Sequence, residues 1–352
     1  MEFNERKDKI IQFLKLYGTI TNNDAQAINN VHRNTATNDL HSLVQDGLLL
    51  MNGAKKGTSY QLIDDLIFTN QDVESIFPKK EKTRLDKFFK TQGRKRVFFN
   101  KVSDQTLDVD FSFPLNISKQ FEQMKERIKN KRKEFSEEVR KKKKEKLVID
   151  LSWASSNIEG NTYSLLETEG LLKYNQTAKG KDFFEAQMIL NHKDAIEYIR
   201  RDHHYKKIDK QKVLELHQIL INNLGINTGF REHLVSISNS SFVPCDNKFQ
   251  IISFFDSMIN KINQSVQVLE KAVAANLLMA FLQPFSDGNK RTSRMLGNAI
   301  LLSCDYIPIS FVNTAKEDYI KAILYFYEKQ NPVFFKQLFL NELNNSFREY
   351  IG

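Results

Sequence analysis

The chain of 352 residues is 41% hydrophobic and 27% charged, which fits a soluble globular protein with room for two or three domains. It has no run of about 18 apolar residues, its N-terminus does not read as a signal segment, and Cys245 and Cys304 have no metal-ligand spacing and set up no disulfide framework. The expected compartment is therefore the cytoplasm, with no membrane partner, and the net charge of +9 suits an acidic partner such as nucleic acid or nucleotide.

Residues 1–68 read as a small α+β domain. Ile10, Ile11, Phe13, Leu14 and Tyr17 mark a first amphipathic helix that Gly18 ends, and Thr21 is the expected N-cap of a short second helix. A third helix follows from Val31 with Leu40, Leu43 and Val44 inward, closed by Gly47. Two strands, Leu48–Met51 and Ser59–Leu62, flank a turn that carries Lys55 and Lys56. This order resembles bacterial winged helix-turn-helix regulators. The resemblance implies that Arg33, Asn34, Thr37 and Asn38 face the DNA major groove and that Lys55 and Lys56 touch phosphate. A domain of the same shape that meets protein instead stays open.

Residues 69–116 form a connecting segment, too rich in Phe (Phe88, Phe89, Phe98, Phe99, Phe111, Phe113) to be a free linker. A basic helix is expected over 117–146, with a thin apolar stripe from Phe121, Met124, Ile128, Phe135 and Val139. Next comes Asp150–Asn161, in which Ser155 and Glu159 form an i, i+4 helix pair. Two further helices are expected over 175–201 and 208–224. His192, His203 and His204 read as structural or exposed, and His217, level with Leu214 and Ile221, as a satisfied core histidine.

The most informative stretch lies between two apolar helical runs, 273–282 and 295–302. Pro284, Gly288 and Asn289 break the pattern and permit tight turns. The second helix then presents unsatisfied N–H donors and its positive dipole end, which suits phosphate. Arg291 and Arg294, three apart, can add charged forks to the same anion. Asp287 beside an anion implies a divalent cation between them, so the local reading is a metal-nucleotide site. The alternative is an ordinary turn in which Arg291 pairs only with Asp287.

The residue order Pro284-Phe285-Ser286-Asp287-Gly288-Asn289-Lys290-Arg291-Thr292-Ser293-Arg294 resembles the signature of the Fic (Fido) family, His-Pro-Phe-x-Asp-Gly-Asn-Gly-Arg-x-x-Arg. Two positions depart from it: Gln283 stands in the place of the catalytic histidine, and Lys290 in that of the second glycine, as in the Doc branch of protein kinases. Ser155, Glu159 and Gly160 are similar to the family's inhibitory motif, here N-terminal to the Fic-like domain. The segment with Phe230, Val235, Ile237 and Phe242 resembles its flap hairpin, which holds the target by strand addition.

The resemblance implies a mainly α fold, with a Fic-type helical core over 117–345, a small β-hairpin flap and the inhibitory helix near 150–161. It implies ATP as ligand or substrate, Mg2+ on Asp287, and phosphate contacts from Gly288, Asn289, Lys290, Arg291 and Arg294. Glu159 would pair with Arg294 and force ATP into a non-productive pose. The implied reaction moves AMP to a hydroxyl of a target protein, yet the amide of Gln283 cannot act as a general base. Three readings follow: an atypical adenylyltransferase, a non-catalytic ATP-sensing DNA-binding regulator, and phosphotransfer of the Doc kind. A homodimer is left open.

Overall fold

The computed structural model describes residues 2–46, 48–53, 57–62, 67–91, 93–201 and 204–351. Gly47, Lys55, Lys56 and His203, all named above, lie outside the described residues.

The N-terminal unit runs α1 (Phe3–Tyr17), β1 (Ile20–Thr21), α2 (Asn22–Asn29), α3 (Arg33–Gln45), β2 (Leu49–Asn52) and β3 (Ser59–Leu62). Thr21 starts α2 through a reciprocal capping box with Asp24. The three strands pair antiparallel in the order β1-β3-β2, with Met51 opposite Tyr60 and Leu49 opposite Leu62. Ile10, Leu14, Ile20, Ala25, Leu40, Leu43 and Tyr60 close a core of their own. The buried Asp39 of α3 is bonded at 2.6 Å to Arg6 of α1, so its charge is matched inside the unit.

The remaining described chain builds a larger core, with a small separate cluster of Tyr163, Leu171, Ala186 and Ile189. Ile67 and Phe68 belong to the larger core rather than to the first unit, because both of their N–H groups are bonded to Asn344 Oδ1 at 2.9 Å. Leu62 belongs to the first core and Ile67 to the second. The segment 69–116 contributes α4 (Asn70–Ile76), α5 (Lys79–Lys90), β4 (Val97–Phe98) and α6 (Phe99–Leu107). Phe99, Phe111 and Phe113 bury there as their composition demanded, whereas Phe98 points outward and is 42% exposed.

The basic stretch divides into α7 (Leu115–Glu134) and α8 (Glu137–Ile158), because Ser136 caps a new helix by accepting from Val139 N. Phe121, Met124 and Ile128 bury as expected, but the break leaves Val139 exposed. The lysine run thus lies on the same helix as Ser155. Then come α9 (Leu165–Tyr174), α10 (Phe183–Arg201) and α11 (Lys210–Ile221). Asn175 does not begin α10 but ends α9 in a left-handed cap.

The chain continues through β5 (Phe242–Val243), α12 (Lys248–Gln264), α13 (Val268–Leu282), α14 (Asn289–Ser303), α15 (Lys316–Lys329) and α16 (Val333–Tyr350). The fold is mainly helical. In place of the expected hairpin, 229–243 holds only β5, which pairs in parallel with β4 from the connecting segment. Val235 and Ile237 lie in irregular backbone.

Helices α13 and α14 form the centre. Nearly every residue of α13 is buried, as a helix apolar on all sides requires. Gly297 lets α14 approach it, since a Cβ there would fall 1.9 Å from Asn276 Nδ2. The last helix carries the core beyond 345, with Phe347, Tyr350 and Ile351 buried. No helix among the described residues is long and apolar enough to cross a membrane.

Candidate nucleotide site

The loop between α13 and α14 is held from both ends. Gln283 ends α13 in the left-handed region at φ +50°. Its Nε2 donates to the Ala280 carbonyl at 2.6 Å and to Tyr327 Oη at 3.1 Å, closing the helix C-terminus. Tyr327 Oη donates to the same carbonyl. The side chain at the position of the family base is therefore turned inward and buried. Arg231, also buried, grips this corner by donating from Nε to the Gln283 carbonyl at 2.6 Å and from its backbone N to the Pro284 carbonyl.

Asn289 closes the loop on itself. Its Oδ1 accepts from Phe285 N at 2.9 Å and its Nδ2 donates to the Phe285 carbonyl at 2.8 Å. The Asn289 side chain thus braces the loop with one of its two amide N–H groups, which leaves the other and the backbone N–H for an anion. His217 stacks on Phe285 at 3.7 Å and donates from Nε2 to the Asp287 carbonyl at 3.0 Å. Burial lowers its imidazole to about 4, so it is neutral here. Gly288 caps α14 at φ +79°, and a Cβ there would meet Ile221 Cγ2 at 3.0 Å, so backbone conformation and space both ask for glycine.

The two arginines separate. Arg291 donates to the Leu220 carbonyl and to Asp287, both at 3.2 Å. Arg294, which is 2% exposed, donates from Nε to Ser155 Oγ at 2.9 Å and from Nη2 to the Ser155 carbonyl at 2.8 Å. Glu159, just past the end of α8, brings Oε1 within 2.8 Å of Arg294 Nη2 and Oε2 within 3.1 Å of Lys290 Nζ. The Glu159 Oε1 contact is charge to charge rather than along an N–H line. Among the described residues, Glu159 Oε1 and Arg294 Nη1 are buried without a hydrogen-bond partner. Burial pushes the Glu159 carboxyl up, but Arg294 and Lys290 outweigh it and hold it at about 2. Gly160 follows at φ +100°, a turn that favours glycine.

Behind Ser155 lies His192, fully buried, a group whose role the sequence did not reveal. Its Nδ1 is 2.8 Å from the Met188 carbonyl and its Nε2 2.8 Å from Ser155 Oγ. A carbonyl only accepts, so Nδ1 carries the proton, Nε2 accepts from Ser155, and Ser155 is free to accept from Arg294. Burial, with the charges of Arg291 and Arg294, lowers His192 to about 3. Its spacing from Ile189, Ile196 and Ile199 is a core face of α10 and could have signalled burial. Tyr319 was also missed, and its ring lies 5.3 Å from the Arg294 guanidinium.

The chain thus brings Ser155, Glu159, Lys290 and Arg294 together, and pairs Arg291 with Asp287. The Asp287 side chain is 68% exposed. A Mg2+ ion that shares its ligands with substrate phosphates needs only one or two carboxylates, so Asp287 fits, and the unpartnered Nη1 of Arg294 suits a phosphate oxygen. Of the residues expected in a flap, Phe230 packs on Phe255 and Phe285, and Phe242 on Phe281 and Tyr327. Arg33, Asn34 and Asn38 are exposed on α3, far along the chain in the separate core, while Thr37 is bonded to Asn22.

A mainly helical core whose central hairpin carries an anion-suited loop defines the class. Residues 207–301 match the model of the Fic/DOC family. Fic-1 from C. elegans has a similar structure, with a TM-score of 0.55 at 20% identity over 67% of this chain and 72% of that chain. A Fic domain-containing signaling protein from Bacteroides thetaiotaomicron VPI-5482 has a TM-score of 0.53 at 20% identity, over 65% of this chain and 93% of that one. In sequence, the chain is 26% identical over 174 residues to the Protein adenylyltransferase Fic of Nematostella vectensis, covering 48% of this chain and 41% of that protein. Residues 207–301 are thus similar to the Fic/DOC family, and the helical fold is that of these solved structures. The chain spans well under half the length of the curated relatives it matches.

Proposed function

We propose that this chain binds ATP at the α13–α14 loop and transfers AMP to a hydroxyl of a target protein, with Glu159 withholding the site until it is displaced. The observation that carries this reading is the Glu159–Arg294 contact: a carboxylate lies against a buried arginine that still has an unpartnered N–H. A phosphate could satisfy that N–H, and while Glu159 sits there it cannot. The relatives named as protein adenylyltransferases support the reaction class.

In the transfer, the target oxygen would bond to the α-phosphorus, the bond to pyrophosphate would break, and the hydroxyl proton would leave to water. Gln283 has no basic nitrogen to receive it. Loss of a general base costs about 10²–10⁴-fold, so positioning by Arg294, Arg291 and the α14 N–H groups would carry the rate. Mg2+, when bound with the nucleotide at Asp287, would neutralise phosphate charge. The Ser155 contacts make the inhibitory role more than a single ion pair, since Ser155 aligns the guanidinium that Glu159 covers.

A second reading is favoured by the inward-turned Gln283: an ATP-sensing regulator without turnover, read out through the N-terminal unit. In that reading the unit is a winged helix, and its exposed Arg33, Asn34 and Asn38 contact DNA. One experiment separates the two. Glu159→Gly protein with Mg2+ is incubated in lysate with ATP labelled at the α- or the γ-phosphate. Protein label from the α-position that is lost in Asp287→Ala supports transfer of AMP, and label from the γ-position alone would mean phosphotransfer. ATP binding without either label would leave the regulator.

A further inference from the structure

Outside the nucleotide loop, a cleft of about 810 Å³ opens between the end of α7, the first half of α8, the Asp305–Pro308 turn and the C-terminal Tyr350–Ile351. Eight of its lining side chains are Lys or Arg, and only Glu137 and Asp305 oppose them. The cations come from separate elements: Arg132 and Lys133 from α7, Arg140, Lys141 and Lys144 from α8, and Arg200 from α10. Among the described residues, neither Arg132 nor Arg200 has an ion-pair partner within 4 Å. Arg132 is exposed and Arg200 half-buried; the packing around each lowers its guanidinium from the ordinary value, and the charge of Arg132 depresses Arg200 further. Like charges gathered in a concavity repel each other unless an anion joins them.

Shape selects the anion. The volume lies in the range of small-ligand sites. A nucleic-acid strand would track a groove along which successive phosphates run, whereas here the cations come from α7, α8 and α10 around one half-open cleft. Arginine forks suit phosphate oxygens, and an anion with several phosphates could meet several walls at once. We propose that this cleft binds a compact polyphosphate, a linked group of three or more phosphates, at a site independent of the α13–α14 loop. From Leu147 to Glu159 there is roughly 18 Å of helix, so the two sites sit towards opposite ends of α8 and can be altered separately.

The test is calorimetric titration of the whole chain with inorganic tripolyphosphate at physiological ionic strength. Arg132→Ala with Arg200→Ala should weaken binding at least about tenfold, and so should Lys141→Glu with Lys144→Glu, a pair exposed enough to spare the fold. Arg294→Ala should leave it unchanged. In that background, a nucleoside tetraphosphate that binds no tighter than tripolyphosphate would identify the phosphate chain as the whole ligand. Tighter, cleft-dependent binding would identify a nucleotide as its source. The proposal is overturned if tripolyphosphate does not bind, or if its binding survives both cleft variants. Cleft-dependent binding of a short single-stranded oligonucleotide that tripolyphosphate cannot displace would overturn it too.

Discussion

Ser155 and Arg294 are bonded twice, side chain to side chain at 2.9 Å and Ser155 carbonyl to Arg294 Nη2 at 2.8 Å. The guanidinium is therefore aligned before Glu159 reaches it. Ser155→Ala removes the first bond and keeps the second, leaving a buried charged donor at Nε unsatisfied. Such a loss costs about 1–3 kcal/mol, which urea unfolding would register. A change near zero would mean that water replaces the hydroxyl and that the serine does not align the arginine.

Glu159→Gly removes the carboxylate facing Arg294 and Lys290. Breaking a buried pair on one side typically costs about 3–5 kcal/mol, so the variant should melt well below the parent chain. ATP with Mg2+ should then raise its Tm more than that of the parent, because ligand stabilises by mass action and only the variant's site is open. Equal shifts in both proteins would mean that Glu159 does not compete with nucleotide.

Acidification should act through histidines before it reaches this contact. His192 is held at about 3 and His217 at about 4, both below the ordinary value near 6.5. Between those values and about pH 6.5 the unfolded chain takes up protons that the folded chain refuses, so stability falls as pH falls through that window. Glu159, held at about 2, contributes fully above about pH 4.5 and loses its contribution only as pH drops toward 2. The Glu159–Arg294 contact should therefore persist from pH 5 to 8 while stability already declines below 6.5. Replacing His192 with Gln should flatten that slope by up to about 1.4 kcal/mol per pH unit. An unchanged slope would show that the imidazole is not the titrating group.

The parts of the site legible in the sequence are those fixed by local rules. A break between two apolar helical runs, a glycine where α14 begins and an i, i+4 pair at the end of α8 each follow from neighbouring residues. What the sequence hid depends on tertiary bonds. Nothing local reveals that the Asn289 amide also closes on Phe285. His192 looked incidental because its partner Ser155 lies on another helix. The segment 229–243 alternates like a hairpin, yet its short strand finds a better edge in Val97–Phe98. The break at Ser136 was a capping signal inside a run whose composition read as one helix.

Gln283→His tests whether the loop can still do chemistry. The position lies in the left-handed region, which histidine tolerates better than most residues. Tyr327 Oη already donates to the Ala280 carbonyl at 2.6 Å, so that acceptor stays satisfied when the amide is lost. The substitution should thus be mild for stability, and a histidine there would return a titratable nitrogen to the loop beside the α14 N-terminus. In a Glu159→Gly background, transfer of label from α-labelled ATP should rise about 10²–10⁴-fold over Glu159→Gly alone. If ATP binds equally well and no label moves in either protein, the loop positions nucleotide without a productive acceptor, and the chain's work lies in sensing ATP rather than transferring from it.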